Sequence, residues 1–574
     1  MRRSFYIAVA AAMLAATPIF AQQDKPTPPP KEFKPELQPP RKTMPSLNLP
    51  EYVITGSDVI IYSGYSKENI AVHDPEEFQR RAGRGVRESW YGDPSPIKAP
   101  LNPEPLPGNE YFLLAQAGYG NFSTPYAEVW YSQHYDRGDL RAHAAFESSD
   151  GHVSESDYSD IGIDVMGGSY FSSDLPDIIR RSRIQGDLSY EHRDYGLYGN
   201  DVLAVTPDLL FRRTYSTFDL GMDLVSRKNR LFDYNARVFT AYTSFDEEMF
   251  ATNVDTSVAA SENTEQTIGM NLGAVFHTEH FPIHLHTTIQ TTDISETDTS
   301  STNPLYFAIG ADAEWMIGGV LNLRAGLEFL AWENSDETSH STLHPSVYAS
   351  YAVTGDVDIF GAFEPSVSYT TSRSLYERNP YFALGSVLRS QDKSLNFKLG
   401  AGYDDRKFIS LRGYIQYSEI EDYTRFVQED IPVHRQWGVE YDGRSTITSL
   451  HAETKVRFSE KNYVLGEAVY RSSENDLTGE AIPYLPDYEL SAVYSHDIIE
   501  RLNAQVSAKL LGTRLADAEE LSAVLNLGIE GSYWMTENVG AFVRLRNFFD
   551  ENYQLYQGYD ARPLFVMGGL KARL

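Results

Sequence analysis

Four histidines fall within ten residues of the chain, in the stretch FHTEHFPIHLH. His277 ends one predicted strand, and His284 and His286 alternate along the next, so the three side chains should share one face of a hairpin, with His280 in its turn. Imidazoles two residues apart on a strand, with a third across the hairpin, can bind Zn, Cu or Ni. A polar wall without metal fits the same spacing, so both interpretations stay open.

A second group of reactive residue types lies in ETSHSTLH, where His340 and His344 stand beside serine and glutamate. Serine and histidine together can support nucleophilic hydrolysis, but no G-x-S-x-G motif accompanies them. We therefore predict no enzyme activity, no catalytic residue and no cofactor. The acidic stretches SFDEEMF, DISETDT, ENSDETSH and SENDLTGE match no EF-hand spacing, and they are interpreted as solvated outer surface, with Ca²⁺ binding as the alternative.

From residue 109 onward, the elements that must position these residues alternate strictly between apolar and polar side chains. In RLNAQVSAKLLG, for example, Leu502, Val506 and Leu510 share one face. Asn503 and Lys509 share the other. This period of two predicts β-strands with one apolar face and one polar, solvated face.

The connections between these segments alternate between short polar turns and longer loops, which is typical of a transmembrane barrel. The pattern predicts an antiparallel barrel of about 22 strands that begins near Tyr111 and ends at Leu574, with 434–458 as one long strand. Tyrosines at segment ends suit the two membrane interfaces. The predicted long connections are 248–262, 294–303, 370–391, 419–433, 473–484 and 550–562.

The chain ends in mid-strand, with FVMGGLKARL. Leu570 and Leu574 lie on an apolar face, whereas Lys571 and Arg573 lie on the other. A closed barrel leaves no free edge, and hydrocarbon requires every backbone group to be paired. We therefore expect the last strand to pair with the first.

The N-terminal part differs in composition and divides into three predicted segments. Residues 1–21 read as a signal peptide, with two arginines before an apolar run. Residues 22–48 form a proline-rich spacer, and 49–108 a short, mostly irregular periplasmic or lumenal segment, before the barrel at 109–574.

Charge and cysteine content exclude several partners. The whole chain carries −31; the signal contributes +2 and residues 24–108 contribute −1, which leaves −32 for 109–574. Nucleic acid is excluded as a partner because binding phosphates needs clustered cations. The chain has no cysteine, so it contains neither disulfides nor thiolate metal sites.

The C-terminal half resembles TonB-dependent outer-membrane receptors over roughly 355–574. The segment NFFDENY and the later GYDAR are similar to the family's N-L-F-D-x-x-Y and GYP-PGR motifs, and RQWGVEYDG to its "GVE" strand. The resemblance implies a 22-stranded barrel in the cell outer membrane. It also implies that Gly569, Ala572 and Leu574 form a signal for the barrel-assembly machinery.

The stretch LPEYVITG resembles the family's energy-coupling box, a short segment that pairs with the edge of TonB. Its residues are Leu49, Pro50, Glu51, Tyr52, Val53, Ile54, Thr55 and Gly56. A short structural strand at the barrel mouth is the alternative. Only about fifty residues separate this stretch from the barrel, so a complete plug domain is expected to be missing or much reduced.

A lumen of about 22 strands is too wide for its own side chains to fill. Three solutions are open: residues 49–108 enter it, the external loops fold inward, or another protein closes it. The basic run RRAGRGVR, with Arg80, Arg81, Arg84 and Arg87, is a candidate insert into an acidic lumen; a solvated linker patch is the alternative.

Two functions are compatible with these observations. The resemblance implies a receptor-type barrel without a full plug that takes part in uptake or binding of a solute. The alternative is a sealed structural barrel that anchors a partner. The expected partners are outer-membrane lipid, the barrel-assembly machinery, and TonB or another periplasmic protein that binds residues 24–108.

Overall fold

The computed structural model describes residues 111–574, except positions 136, 172–178, 180–181, 200–208, 227–231, 252–253, 279, 297–300, 406, 429–435, 442, 460–461, 500 and 517–518. The predicted signal peptide, the spacer and the 49–108 segment lie outside the described residues. Their boundaries therefore stay predictions from the sequence.

Antiparallel strands form one large sheet that makes the wall of the barrel. They are β1 (Tyr111–Gly120), β2 (Thr124–Tyr135), β3 (Gly138–Ser149), β4 (Tyr158–Tyr170), β5 (Arg183–Gly196), β6 (Leu209–Val225), β7 (Phe232–Ala251), β8 (Val254–His277), β9 (Pro282–Glu296), β10 (Leu305–Ile317), β11 (Leu321–Glu333), β12 (Ser339–Ala352), β13 (Val357–Phe363), β14 (Ser366–Ser368), β15 (Gln391–Asp404), β16 (Ile409–Glu421), β19 (Arg444–Arg457), β20 (Tyr463–Asn475), β21 (Tyr488–Ile499), β22 (Leu502–Leu511), β25 (Val524–Trp534), β26 (Val539–Arg546) and β29 (Phe565–Arg573). Since β13 and β14 both pair with β15, they share one position, and the 23-stranded sheet makes a barrel of 22 positions.

The remaining described elements lie in the connections at one end of the barrel. They are the helix α1 (Ser372–Arg378) and the hairpins β17 (Thr424–Gln428) with β18 (Trp437–Tyr441), β23 (Arg514–Ala516) with β24 (Glu519–Leu521), and β27 (Gln554–Tyr556) with β28 (Tyr559–Asp560). None of the described residues belongs to a helix with the length and apolar character needed to span a membrane.

The barrel closes between its first and last strands, as the sequence predicts. β1 pairs with β29 from Leu114 opposite Arg573 to Gly120 opposite Met567. Leu113 and Leu574 exchange both backbone hydrogen bonds, at 2.9 and 3.1 Å. The final residue therefore belongs to the wall, and the even number of positions brings Tyr111 and Leu574 to the same rim.

The predicted alternation along each strand is also confirmed. Leu570 on β29 is 60% exposed, and Leu574 directly after the strand is 66% exposed, both on the outer face. Phe565 and Met567 point inward and are fully buried, packed with the Phe542 ring. An apolar outer face on a closed sheet is what a hydrocarbon environment requires, so the strands are membrane-spanning.

One predicted long connection, 248–262, is wrong. β7 extends to Ala251 and β8 begins at Val254, and their pairing includes Glu247 opposite Ser261 and Asp246 opposite Glu262. Acidic residues mark a loop only where one face of the strand must be apolar. Above the bilayer both faces of a sheet meet water, so a strand can continue through an acidic stretch.

The prediction of one strand over 434–458 is also wrong. β18 pairs with β17 in an external hairpin, whereas β19 pairs with β16 in the wall. Between them Gly443 has φ of +59°, a left-handed conformation that favours glycine. This turn redirects the chain from the hairpin into the barrel.

Closure of the barrel can be tested at two adjacent glycines of β29. A Cβ at Gly569 would overlap the Ala117 carbonyl oxygen and the Phe542 ring, whereas a Cβ at Gly568 would find its nearest atom, the Phe542 carbonyl oxygen, at 3.9 Å. We expect Gly569→Ala to destabilise the folded barrel by about 1–3 kcal/mol, the usual cost of overpacking. Gly568→Ala is the matched control and should be neutral. The urea midpoint and the mobility of unheated protein on gels measure this, and equal midpoints for both variants would contradict it.

Candidate functional site at the loop-filled mouth

The connection 369–390, called here the inserted loop, leaves the wall and enters the lumen. It contains α1, whose N-cap Thr371 forms a capping box with Ser374. These two side chains satisfy backbone donors that the first turn leaves open. Asn379 caps the C-terminus and Pro380 follows, and the residue before a proline disfavours helical geometry. The sequence thus places a short, stably capped helix in the loop.

The start of α1 is attached to the opposite wall by charge. The Arg373 guanidinium donates to both carboxylate oxygens of Asp219 on β6 at 2.7 Å. The Ser372 amide donates to Glu265 on β8 at 2.7 Å. Asp219 precedes the lipid-facing Leu220, which is exposed on the outer surface. The inserted loop therefore reaches membrane depth inside the barrel.

The end of the inserted loop is held by a buried arginine of the wall. Arg213 on β6 donates to the carbonyl oxygens of Pro380 at 2.7 Å and Phe382 at 2.8 Å. The same guanidinium pairs with Glu247 on β7. The Tyr195 hydroxyl gives the Pro380 carbonyl a second donor at 2.7 Å. Arg213 has no exposed side-chain surface, so these bonds form away from bulk water.

Aromatic rings fill the space between the inserted loop and the wall. Tyr376 of α1 stacks on Tyr215 with 4.0 Å between ring centroids, and Tyr381 stacks on Tyr559 at 3.5 Å. The buried cluster combines wall and loop residues: Tyr158, Tyr195, Leu197, Tyr198, Tyr215, Phe245, Ile294, Leu375, Tyr376, Tyr381, Phe382, Leu388, Phe426, Trp437 and Tyr559. Together these side chains form a packed core inside the mouth of the barrel.

Other external connections form hydrogen bonds with the inserted loop. Trp437 on β18 donates its amide to the Tyr381 carbonyl and accepts from the Ala383 amide, at 3.2 and 2.7 Å. Its indole nitrogen donates to the Tyr484 hydroxyl at 2.9 Å. Arg378 donates to the Thr424 carbonyl at 3.0 Å. Of the three ways of closing the lumen, the structure shows that external loops fold inward.

Four ionisable groups in these loops have shifted pKa values. Burial raises the pKa of Tyr381 and Tyr559, and raises that of Tyr441 to about 12. The phenols therefore remain neutral and can donate hydrogen bonds. Partial desolvation raises the pKa of Asp336, but hydrogen bonds from Thr338 and the Arg389 guanidinium outweigh it and the net direction is down. Asp336 thus stays ionised and pairs with Arg389 of the inserted loop at 2.9 Å.

The three histidines proposed as metal ligands face the lumen, and two of them contact different carboxylates. His277 lies 2.8 Å from Asp233, and His286 lies 2.8 Å from Glu328. His284 is directly opposite Asp312 on β10. Among the described residues, no three histidine, aspartate or glutamate side chains are grouped as metal ligands would be. The metal site stays a prediction from the sequence.

The two rim histidines also lie in the wall. His340 stacks on Trp332 with 5.4 Å between ring centroids, and buried His344 lies 3.1 Å from Asp392. Neither histidine forms a hydrogen bond with a serine hydroxyl in the described part of the chain.

The remaining sequence-predicted sites divide into two groups. The coupling-box stretch 49–56 and the arginines at 80–87 lie outside the described residues. Gly569 and Ala572 lie on β29, where they pair with Gly118 and Ala115, and Leu574 follows directly after the strand. Their role in assembly stays a prediction.

Sequence reasoning missed the residues that attach the inserted loop to the wall. Arg213, Asp219 and Glu265 look like ordinary lumen-facing polar positions of strands. One signal was available: alternation puts Arg213 and Asp219 on the same inner face of β6. Their partners in the inserted loop, 107 to 169 residues away, cannot be deduced from spacing.

The chain has the fold of large outer-membrane receptors. A copper transporter, OprC, superposes with a TM-score of 0.62 and 12% identity, covering 82% of this chain and 81% of that one. The siderophore receptor PiuA from Acinetobacter baumannii gives 0.62 and 12%, covering 81% and 82%. The FrpB iron transporter from Neisseria meningitidis gives 0.62 and 10%, covering 81% and 82%. No protein-family model and no curated protein matches the sequence.

These likenesses concern the fold. Together with the closed sheet and its apolar outer face, they indicate an outer-membrane β-barrel with the fold of these receptors.

The attachment of the inserted loop can be tested by proteolysis. Arg213→Met removes the ion pair with Glu247, the donor of the Phe382 carbonyl and one of the two donors of the Pro380 carbonyl. Breaking a buried ion pair costs about 3–5 kcal/mol. We expect trypsin to cut the inserted loop of the intact barrel at Arg378 or Arg389 at least about tenfold faster than in the wild type. Arg324→Met is the matched control, because Arg324 pairs with Asp312 within the wall. Equal cleavage of all three proteins would contradict the attachment.

Proposed function

We propose that this protein is an outer-membrane receptor-type barrel that takes part in uptake or binding of a solute at the cell surface. The observation that carries the proposal is a polar lumen closed at one mouth by the chain's own loops. A barrel with a purely structural role would gain more stability from apolar side chains in its lumen than from buried ion pairs. The desolvation cost of a buried ion pair is often as large as its favourable interaction energy. The fold neighbours named as a copper transporter, a siderophore receptor and an iron transporter support transport. We propose no catalytic role.

Uptake through this barrel requires the inserted loop to move. Its contacts with the wall are of two kinds, charged bonds through Arg373 and Arg213 and aromatic packing around Tyr376 and Tyr381. Packed side chains resist small deformations, so such a closure has discrete closed and open arrangements. A solute that binds the open arrangement more tightly shifts the population toward it.

Energy coupling is the second part of the proposal. Residues 49–56 would pair with the edge of TonB, because a short extended segment on a proline-rich tether can add a strand to an exposed sheet. Arg80, Arg81, Arg84 and Arg87 would enter the lumen and bind its carboxylates. A much reduced plug would then act together with the inserted loop.

The alternative function is a sealed anchor for a periplasmic or surface protein. The dense aromatic cluster at the mouth favours it, since fifteen buried apolar side chains close the lumen there. In this version the loop never opens, and the N-terminal arm binds the partner.

Conductance in a planar bilayer separates the two functions. We expect low conductance for the wild type, and open-channel events when residues 24–108 are deleted or when the inserted loop is shortened, because each removal takes material from the lumen. The matched control replaces the short turn 353–356 between β12 and β13, which lies at the rim opposite the inserted loop. No conductance in any variant would favour the sealed anchor and contradict uptake.

The coupling box has its own test. In a pull-down with the periplasmic domain of TonB, Val53→Pro should reduce recovery strongly, since proline cannot donate the backbone bond that strand pairing needs. Val53→Thr keeps the β-propensity and is the control. Equal recovery of Val53→Pro and the wild type would end the proposal of TonB coupling.

A further inference from the structure

In the part of the chain that the structure describes, two carboxylates of the inner wall have their polar partners in the inserted loop. Among the described residues, the only ion pair of Asp219 is with Arg373. Glu265 is buried and accepts a hydrogen bond from the Ser372 amide. Other acidic side chains of the wall are neutralised within the wall: Asp187 and Asp223 by Arg237, Asp312 by Arg324, and Asp160 by Arg193.

The inserted loop carries the complementary charge. It contains Arg373, Arg378 and Arg389 against one acid, Glu377, so its formal charge is +3 − 1 = +2 in a chain of −31. The Arg373 guanidinium is surrounded by oxygen acceptors. Besides the two Asp219 oxygens, the Thr217 hydroxyl lies at 3.3 Å and Glu377 at 3.5 Å.

Opening therefore has a defined electrostatic consequence. When Arg373 leaves, Asp219 and Glu265 face the lumen without their described partners. An unpaired carboxylate in a partly dehydrated site is unfavourable, and an incoming cation removes that cost. An incoming anion increases that electrostatic cost.

We propose that Asp219, Glu265 and Thr217 form a binding site for an organic cation, a solute that carries a guanidinium or primary amine, and that Arg373 occupies this site in the closed state. The inference rests on the proposed uptake function and names its substrate class. The solute exchanges with Arg373, so the site keeps its charge balance while the loop opens.

The experiment uses the full chain in detergent micelles. Because the sequence has no cysteine, Val387→Cys gives a single fluorophore position on an exposed side chain of the inserted loop. The probe is agmatine, which has a guanidinium at one end and an amine at the other, and glutarate is the anionic control. We expect a saturable change in emission with agmatine and none with glutarate.

Variants then separate competition from simple binding. Arg373→Met should tighten agmatine binding by about tenfold or more, because the internal competitor is gone. In that background, Asp219→Asn should weaken binding by about 10–100-fold, the value of a charge-assisted hydrogen bond converted to affinity. Glu467→Gln, on the distant strand β20, is the control and should leave affinity unchanged.

Three results would overturn the proposal: no saturable response to agmatine, an equal response to glutarate, or weaker binding in Arg373→Met. Gel mobility of unheated samples confirms that each variant is folded. The conductance and TonB pull-down experiments test the uptake function without using agmatine. A failure of the cation site can therefore be distinguished from a failure of the uptake function.

Discussion

The pairing of β1 with β29 is the constraint on which the rest of the structure depends. In hydrocarbon an unpaired amide costs several kcal/mol, so a sheet of this size is stable there only as a closed ring. Glycines on both strands of the seam allow the close approach, with Gly118 opposite Gly569. Closure fixes the faces of every strand, and therefore determines which side chains meet lipid and which meet the lumen.

Closing a sheet of 22 positions creates a second problem, a lumen wider than its side chains can fill. The chain closes this lumen at the external mouth with its own loop connections. The inserted loop brings a capped helix and a net positive charge to an acidic wall, and Trp437 and Tyr559 from other connections pack onto it. Charge brings the loop to the wall, whereas aromatic packing determines its position.

These two kinds of contact also explain how a closed mouth can still open. Aromatic packing is cooperative and resists gradual loosening. The bonds of Arg373 and Arg213 are different, because a solute with suitable charge can replace one of them in a single exchange. In the uptake function proposed above, a mouth held in this way would select solutes by charge.

The sequence by itself determined the barrel, the strand number, the outward faces and the closing role of the last strand, because these follow from local alternation and from the demands of hydrocarbon on the backbone. The sequence prediction was wrong at 248–262, because a strand above the membrane can continue through polar residues. It was also wrong at 434–458, because the left-handed backbone of Gly443 turns the chain from an external hairpin into the wall. Only the tertiary structure decided that Arg373 meets Asp219 and that Tyr376 stacks on Tyr215. The reason is physical: closing the ring places residues about 150 positions apart on facing walls of one lumen, and no local pattern in the chain encodes that distance.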